Sequence, residues 1–183
     1  MSTILYDTNR KRVADEWVDK AKRQLEAAKF HADRLHWPES VQAAQEAIEL
    51  SVKAVFTLLG VEYARTHGLE RKALQQIALQ LRERGLLGQL RVHLLFRVAE
   101  LPRLLVLANL WADTNETAKY GLEAEFLSGP AGLFKEPEAR LAMAHAEECF
   151  QAAFDLLWAP EEVLIALLDR PKDSGAPTDR ARR

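Results

Sequence analysis

The chain has 183 residues, with 25 Lys and Arg against 27 Asp and Glu, for a formal charge of −2. That length suits one domain with a full core, and 48% hydrophobic with 28% charged residues is a folded rather than a disordered composition. Near-neutrality excludes a strongly basic, dedicated nucleic-acid binder but not a local basic face, and the single cysteine, Cys149, excludes an internal disulfide or a cysteine-based zinc site.

Residues Met1 to Arg12 lack the apolar stretch of a signal peptide, and no apolar run reaches membrane-spanning length. The expectation is a cytoplasmic protein with no membrane segment. With 8 Gly and 7 Pro there is little turn chemistry, which favours long helices.

The first helix is expected to open at Asp7, Thr8 and Asn9, all good N-cap residues. Val13, Trp17, Ala21, Leu25, Ala28, Ala32 and Leu35 follow at three- and four-residue spacing and make one apolar stripe. Pro38 ends this helix and suits the first turn of the next. A second helix is predicted from about Pro38 to Leu59, capped by Gly60, with Val41, Ala44, Ile48, Val52, Val55 and Leu59 buried. So short a connection predicts an antiparallel helical hairpin.

Val61 to Gly68 reads as a loop. A third helix is predicted from Leu69 to Arg84, with Leu74, Ile77 and Leu81 inward. The Leu-rich stretch that follows is broken at Gly88 and Pro102, and Pro102 opens a helix through Leu104, Leu107, Ala108 and Trp111. After a loop at Ser128 to Gly132, a last long helix begins near Glu136 and Pro137 and carries Leu141, Ala144, Cys149, Phe150, Ala153 and Leu157. Pro160 to Glu162 start a short apolar helix through Leu164 and Leu168. The expected fold is all-α, an up-and-down bundle of four to five main helices over residues 1–169, with a disordered charged tail at 170–183.

The bundle offers little ready-made chemistry. No Glu is followed three residues later by His, so a di-iron core is not expected. Phosphate-binding and dinucleotide loops are absent, as is a nucleophile-elbow serine. No metal or cofactor is expected. Glu49 and Lys53 stand in the favourable order for an ion pair along a helix. Arg140 and His145 lie on one helix, roughly 140° apart around its axis. They could line opposite walls of a groove or meet their copies across a dimer axis. A His can take the proton of a ribose 2′-hydroxyl, and an Arg can hold the charge that develops on phosphorus.

Gln45, Ala47, Glu49, Lys53 and Ala54, then Gly60 and Thr66-His67-Gly68-Leu69, resemble the HEPN (higher eukaryotes and prokaryotes nucleotide-binding) domain. Trp17, Ala21 and Leu25 fit that family's first helix, and Lys119-Tyr120-Gly121 resembles its Arg-Tyr-Pro or Arg-Tyr-Gly segment, with Lys in place of Arg. Glu138-Ala139 through Phe150 resembles the start of its last helix.

The resemblance implies a dimeric helical bundle, often the partner of a minimal nucleotidyltransferase in a toxin–antitoxin pair. Active members are metal-independent ribonucleases with an Arg-x4-6-His motif across the dimer interface, a spacing that Arg140 and His145 match. By the same resemblance His67 is a helix-opening residue and a ligand candidate. Lys53, Lys119 and Tyr120 are candidates to meet a phosphate, with ion pairing and helix-end packing as their ordinary alternatives. Three functions therefore stand as expectations. The first is a homodimeric nucleotide- or RNA-binding module paired with a nucleotidyltransferase, the second a metal-independent endoribonuclease, and the third a dimerising scaffold without a ligand. Leu86 to Leu110 holds more apolar residues than one monomer face needs, which favours the homodimer.

Overall fold

The structure is a computed structural model that describes residues 8–61, 71–83, 101–112, 114–121 and 129–162. Helix α1 spans Thr8–Ala32, α2 Trp37–Leu58, α3 Arg71–Glu83, α4 Leu101–Trp111, α5 Thr114–Tyr120, α6 Pro130–Leu133 and α7 Glu136–Leu157. Among the described residues there is no strand, and the all-α bundle expected from the sequence is present. The expected loop with His67, the Leu-rich stretch before Leu101, residues 163–169 of the short helix expected through Leu168 and the expected charged tail lie outside the described residues.

The long helices meet through small side chains. On α1 the inward residues are Ala14, Val18, Ala21, Leu25 and Ala28. On α7 they are Ala139, Ala142, Ala146, Cys149, Ala153 and Leu156. Both rows alternate steps of three and four, the spacing that keeps one seam facing a near-parallel neighbour. This shifts two expectations. On α1, Val13 and Trp17 flank the seam rather than form it, and Leu35 is exposed. On α7, Leu141 and Ala144 face outward while alanines face in. The reason is close approach: an alanine lets two helix backbones come together where a leucine would hold them apart.

Helix α2 is the centre. From Ser40 to Val61 it has no exposed residue, because α1 and α7 pack along it while α4, α5 and α6 cover the rest. Its buried residues thus surround the axis rather than form the single face that periodicity suggested. Lys11 lies over the Trp158 ring and Lys29 reaches Glu147, so α1 runs antiparallel to α7. Since α1 and α2 form a hairpin, α2 and α7 run in the same direction.

Both ends of that hairpin close by the same device. At the end of α2, Val61 N–H donates to the Phe56 carbonyl at 2.9 Å and Gly60 N–H to that of Thr57 at 3.1 Å, with Gly60 at φ +61°. This is a Schellman closure, and Gly60 occupies its left-handed position as its sequence context suggested. At the end of α1, His36 N–H donates to the His31 carbonyl at 3.0 Å and Leu35 N–H to that of Ala32 at 2.9 Å. Here the left-handed residue is Leu35, at φ 61°. A leucine in this conformation costs about 1 kcal/mol because its Cβ crowds the following carbonyl. With 69% of its surface exposed, Leu35 recovers little of that by burial. Ser40 then ties the hairpin, its hydroxyl donating to the Ala28 carbonyl at 2.9 Å in a buried setting.

Leu35→Gly should therefore stabilise the protein by roughly 0.5–1 kcal/mol, since glycine's extra freedom in the unfolded chain offsets part of the relief. In thermal unfolding this is a rise in Tm of about 1–4 °C for a chain of this size. An unchanged or lowered Tm would contradict the strained-turn reading.

Candidate functional site

His145 and Arg140 occupy different sides of α7, and their partners differ. Arg140 is 72% exposed in its side chain and donates from Nε to Glu136 at 2.7 Å, one turn back on the same helix. His145 is half-buried against α4, where the Trp111 indole N–H donates to its Nδ1 at 3.0 Å. The two rings meet edge to face, with centroids 6.1 Å apart.

Beside them Arg103 of α4 grips Glu148 of α7 with a two-pronged contact, Nε to Oε1 at 3.0 Å and Nη2 to Oε2 at 3.2 Å. That fork matches the carboxylate's planar geometry. It is Arg103 rather than Arg140 that shares the α4–α7 groove with His145. One turn of α4 after another supplies Arg103, Leu107 and Trp111 to this face, and α7 answers with His145, Glu148 and Cys149.

The electrostatics follow from this packing. His145 is held below its usual pKa of 6.5, chiefly by burial, then by the Arg103 charge, with Glu148 working in the opposite sense. It is therefore neutral at pH 7, and with Nδ1 accepting from Trp111 its proton sits on Nε2. In this state the ring offers a donor, not a base. The Cys149 thiol is pushed well above its ordinary range, by burial first and Glu148 second, and is inert as a nucleophile.

The second polar cluster lies on α2. Gln45, Glu49 and Lys53 form a stripe at four-residue spacing. Lys53 is buried, donates to Glu49, and stands 5.8 Å from the Trp17 ring centroid, while Lys20 covers the same ring at 4.7 Å. Lys53 thus sits within the packed core, holding an ion pair. Lys119 and Tyr120 end α5 and are both exposed, and Gly121 closes that helix at φ 70° with its N–H on the Thr117 carbonyl at 2.8 Å. His67 lies outside the described residues. Among the described residues, no three His, Cys, Asp or Glu side chains gather where a metal ion could be held. Nor, among the described residues, is any helix long and apolar enough to cross a membrane.

The HEPN domain model matches residues 14–155, most of the chain, and the protein belongs to the HEPN domain family. No curated protein and no solved structure gives a significant match.

A histidine held below its ordinary pKa in the fold makes stability depend on pH with a definite sign. As pH falls through about 6.5, the unfolded chain takes up a proton that the native His145 refuses, so native stability declines until the lowered pKa is reached. His145→Gln removes that loss. Urea unfolding between about pH 7.5 and pH 5 should show a smaller decline for the variant than for the parent. Parallel profiles for the two proteins would contradict the assignment.

Proposed function

We propose that the protein is a homodimeric HEPN module of the cytoplasm that binds nucleotide or RNA without cutting it. In this reading it works beside a minimal nucleotidyltransferase in a toxin–antitoxin type system. The observation that carries this reading is the state of His145. Removing a proton from a 2′-hydroxyl needs a free imidazole lone pair, and the one this ring has is occupied by the Trp111 indole N–H. What His145 presents instead is Nε2–H, a donor suited to a phosphate or carbonyl oxygen. Family membership supports the rest, since the partnership with a nucleotidyltransferase is what the HEPN resemblance implies. Val106 and Leu110 on α4 and Leu141 on α7 are each about half exposed, on the two helices that carry Trp111 and His145. An apolar surface there favours a second copy covering it. Lys119 and Tyr120, exposed at the end of α5, are the candidates to reach a phosphate.

The second reading, a metal-independent endoribonuclease, rests on the Arg140-x4-His145 spacing. It requires His145 to exchange Trp111 for substrate and Arg140 to leave Glu136 when two copies meet.

A labelled RNA incubated with the protein in EDTA separates the two. We expect saturable binding by fluorescence anisotropy with the RNA intact on a denaturing gel, and His145→Ala weakening binding about fivefold, as loss of one neutral hydrogen bond would. Light scattering should give twice the 20.7 kDa chain mass. Cleavage that His145→Ala abolishes would establish the ribonuclease instead, and a stable monomer that binds no RNA would contradict both.

A further inference from the structure

The fork between Arg103 and Glu148 leaves part of the guanidinium unused. Glu148 takes the Nε–H and one Nη2–H of Arg103, the side edge of the group. A guanidinium carries five N–H donors, so three remain, the second on Nη2 and both on Nη1. The second Nη2–H and one Nη1–H run parallel and make another two-pronged edge, which fits two oxygens of one phosphate. The Arg103 side chain keeps 45% of its surface exposed while it holds the fork.

His145 stands beside it. Glu148 follows His145 by three positions on α7, so the two are neighbours on the helix surface, and the guanidinium held by Glu148 is brought next to the imidazole. The Arg103 charge is felt there, as the second cause of the lowered His145 pKa. With Nδ1 taken by Trp111, the proton of His145 is on Nε2. Among the described residues, the buried side-chain atoms without a partner are Trp17 Nε1, His31 Nδ1 and Gln45 Oε1. His145 Nε2 is also unpaired, but it is not buried. Two donor groups, one charged and one neutral, thus reach the surface of the α4–α7 groove.

We propose that Arg103 and His145 form a binding site for a phosphomonoester, the terminal phosphate of a mononucleotide or of an RNA end. The site rests on the reading of His145 as a phosphate donor and adds the chemical group that is selected. A terminal phosphate has three non-bridging oxygens, two for the Arg103 edge and one for the His145 Nε2–H. A phosphodiester inside a chain has two, so one of the three N–H donors is left without a good acceptor. Glu148 is a positioning residue here, since the fork engages both its oxygens and fixes the plane of the guanidinium.

The full chain is tested in EDTA with one 3′-labelled RNA carrying either a 5′-phosphate or a 5′-hydroxyl, and with AMP and adenosine as competitors. By anisotropy the phosphorylated RNA should bind about tenfold tighter than its hydroxyl form, and AMP should displace it where adenosine does not. AMP should also shift the His145 Nε2 resonance saturably in 15N spectra of the unsubstituted protein. AMP that competes near the Kd of the phosphorylated RNA identifies a mononucleotide site, and AMP that competes only far above it an RNA-end site. Both support a phosphomonoester. Arg103→Lys keeps the charge without the edge and should cut the preference for the phosphorylated RNA to about twofold or less. The same preference in parent and variant overturns the assignment of Arg103. Saturable but equal binding of the two RNA forms overturns the phosphomonoester site and leaves RNA binding in place, whereas binding of neither RNA nor AMP contradicts both readings.

Discussion

The close approach of α1, α2 and α7 through alanine is the constraint on which the other features depend. Ala14, Ala21 and Ala28 of α1, Ala44 and Ala47 of α2, and Ala139, Ala142 and Ala146 of α7 are all fully buried. A larger side chain at such positions costs about 1–3 kcal/mol in overpacking. Because the helices sit so close, α2 is enclosed on every side. Its polar residues have no solvent to turn to and must find partners within the bundle. Ser40, Ser51 and Lys53 do so, and Gln45 reaches Glu49 with its Nε2 while its Oε1 has no donor.

The outer helix α4 is joined to this core by polar contacts as well as by Leu104 and Leu107. The Trp111–His145 hydrogen bond and the Arg103–Glu148 fork fix how α4 lies on α7. That placement sets the surroundings of His145. A surface histidine at an ordinary pKa could act as acid or base near neutrality, whereas this one is desolvated, faces an arginine and has its lone pair engaged. Trp111 of α4 also takes part in a second contact, since it lines the small cleft between α4 and α2 beside Gln45.

The architecture was legible in the sequence to a large extent. Pro38, Gly60 and Pro137 mark helix boundaries for definite steric reasons, and each lies within two residues of one in the structure. The turn at Leu35 was not legible, because nothing about an exposed leucine announces a left-handed conformation. On the inward faces of α1 and α7 the sequence pattern marks Ala21, Leu25, Ala28, Cys149, Ala153 and Leu157 correctly, but it points to Val13, Trp17, Leu141 and Ala144 where Ala14, Val18, Ala142 and Ala146 face in, since alanines in a seam stand out little from their neighbours. The site was less legible still. Arg140 and His145 are close in sequence yet engage different partners, whereas Arg103, Trp111, His145 and Glu148 come together only once α4 lies against α7. One sequence shows which residues share a helix face, but not which face meets which.

The protonation state of His145 is the hinge between a binding module and a ribonuclease, and 15N NMR of its imidazole measures it directly. At pH 7 the ring should be neutral, with the proton on Nε2, Nδ1 resonating as an unprotonated nitrogen, and a scalar coupling between that nitrogen and the Trp111 indole proton. A ring protonated on Nδ1 at that pH, whether charged or in the other tautomer, would break the Trp111 contact and contradict the account.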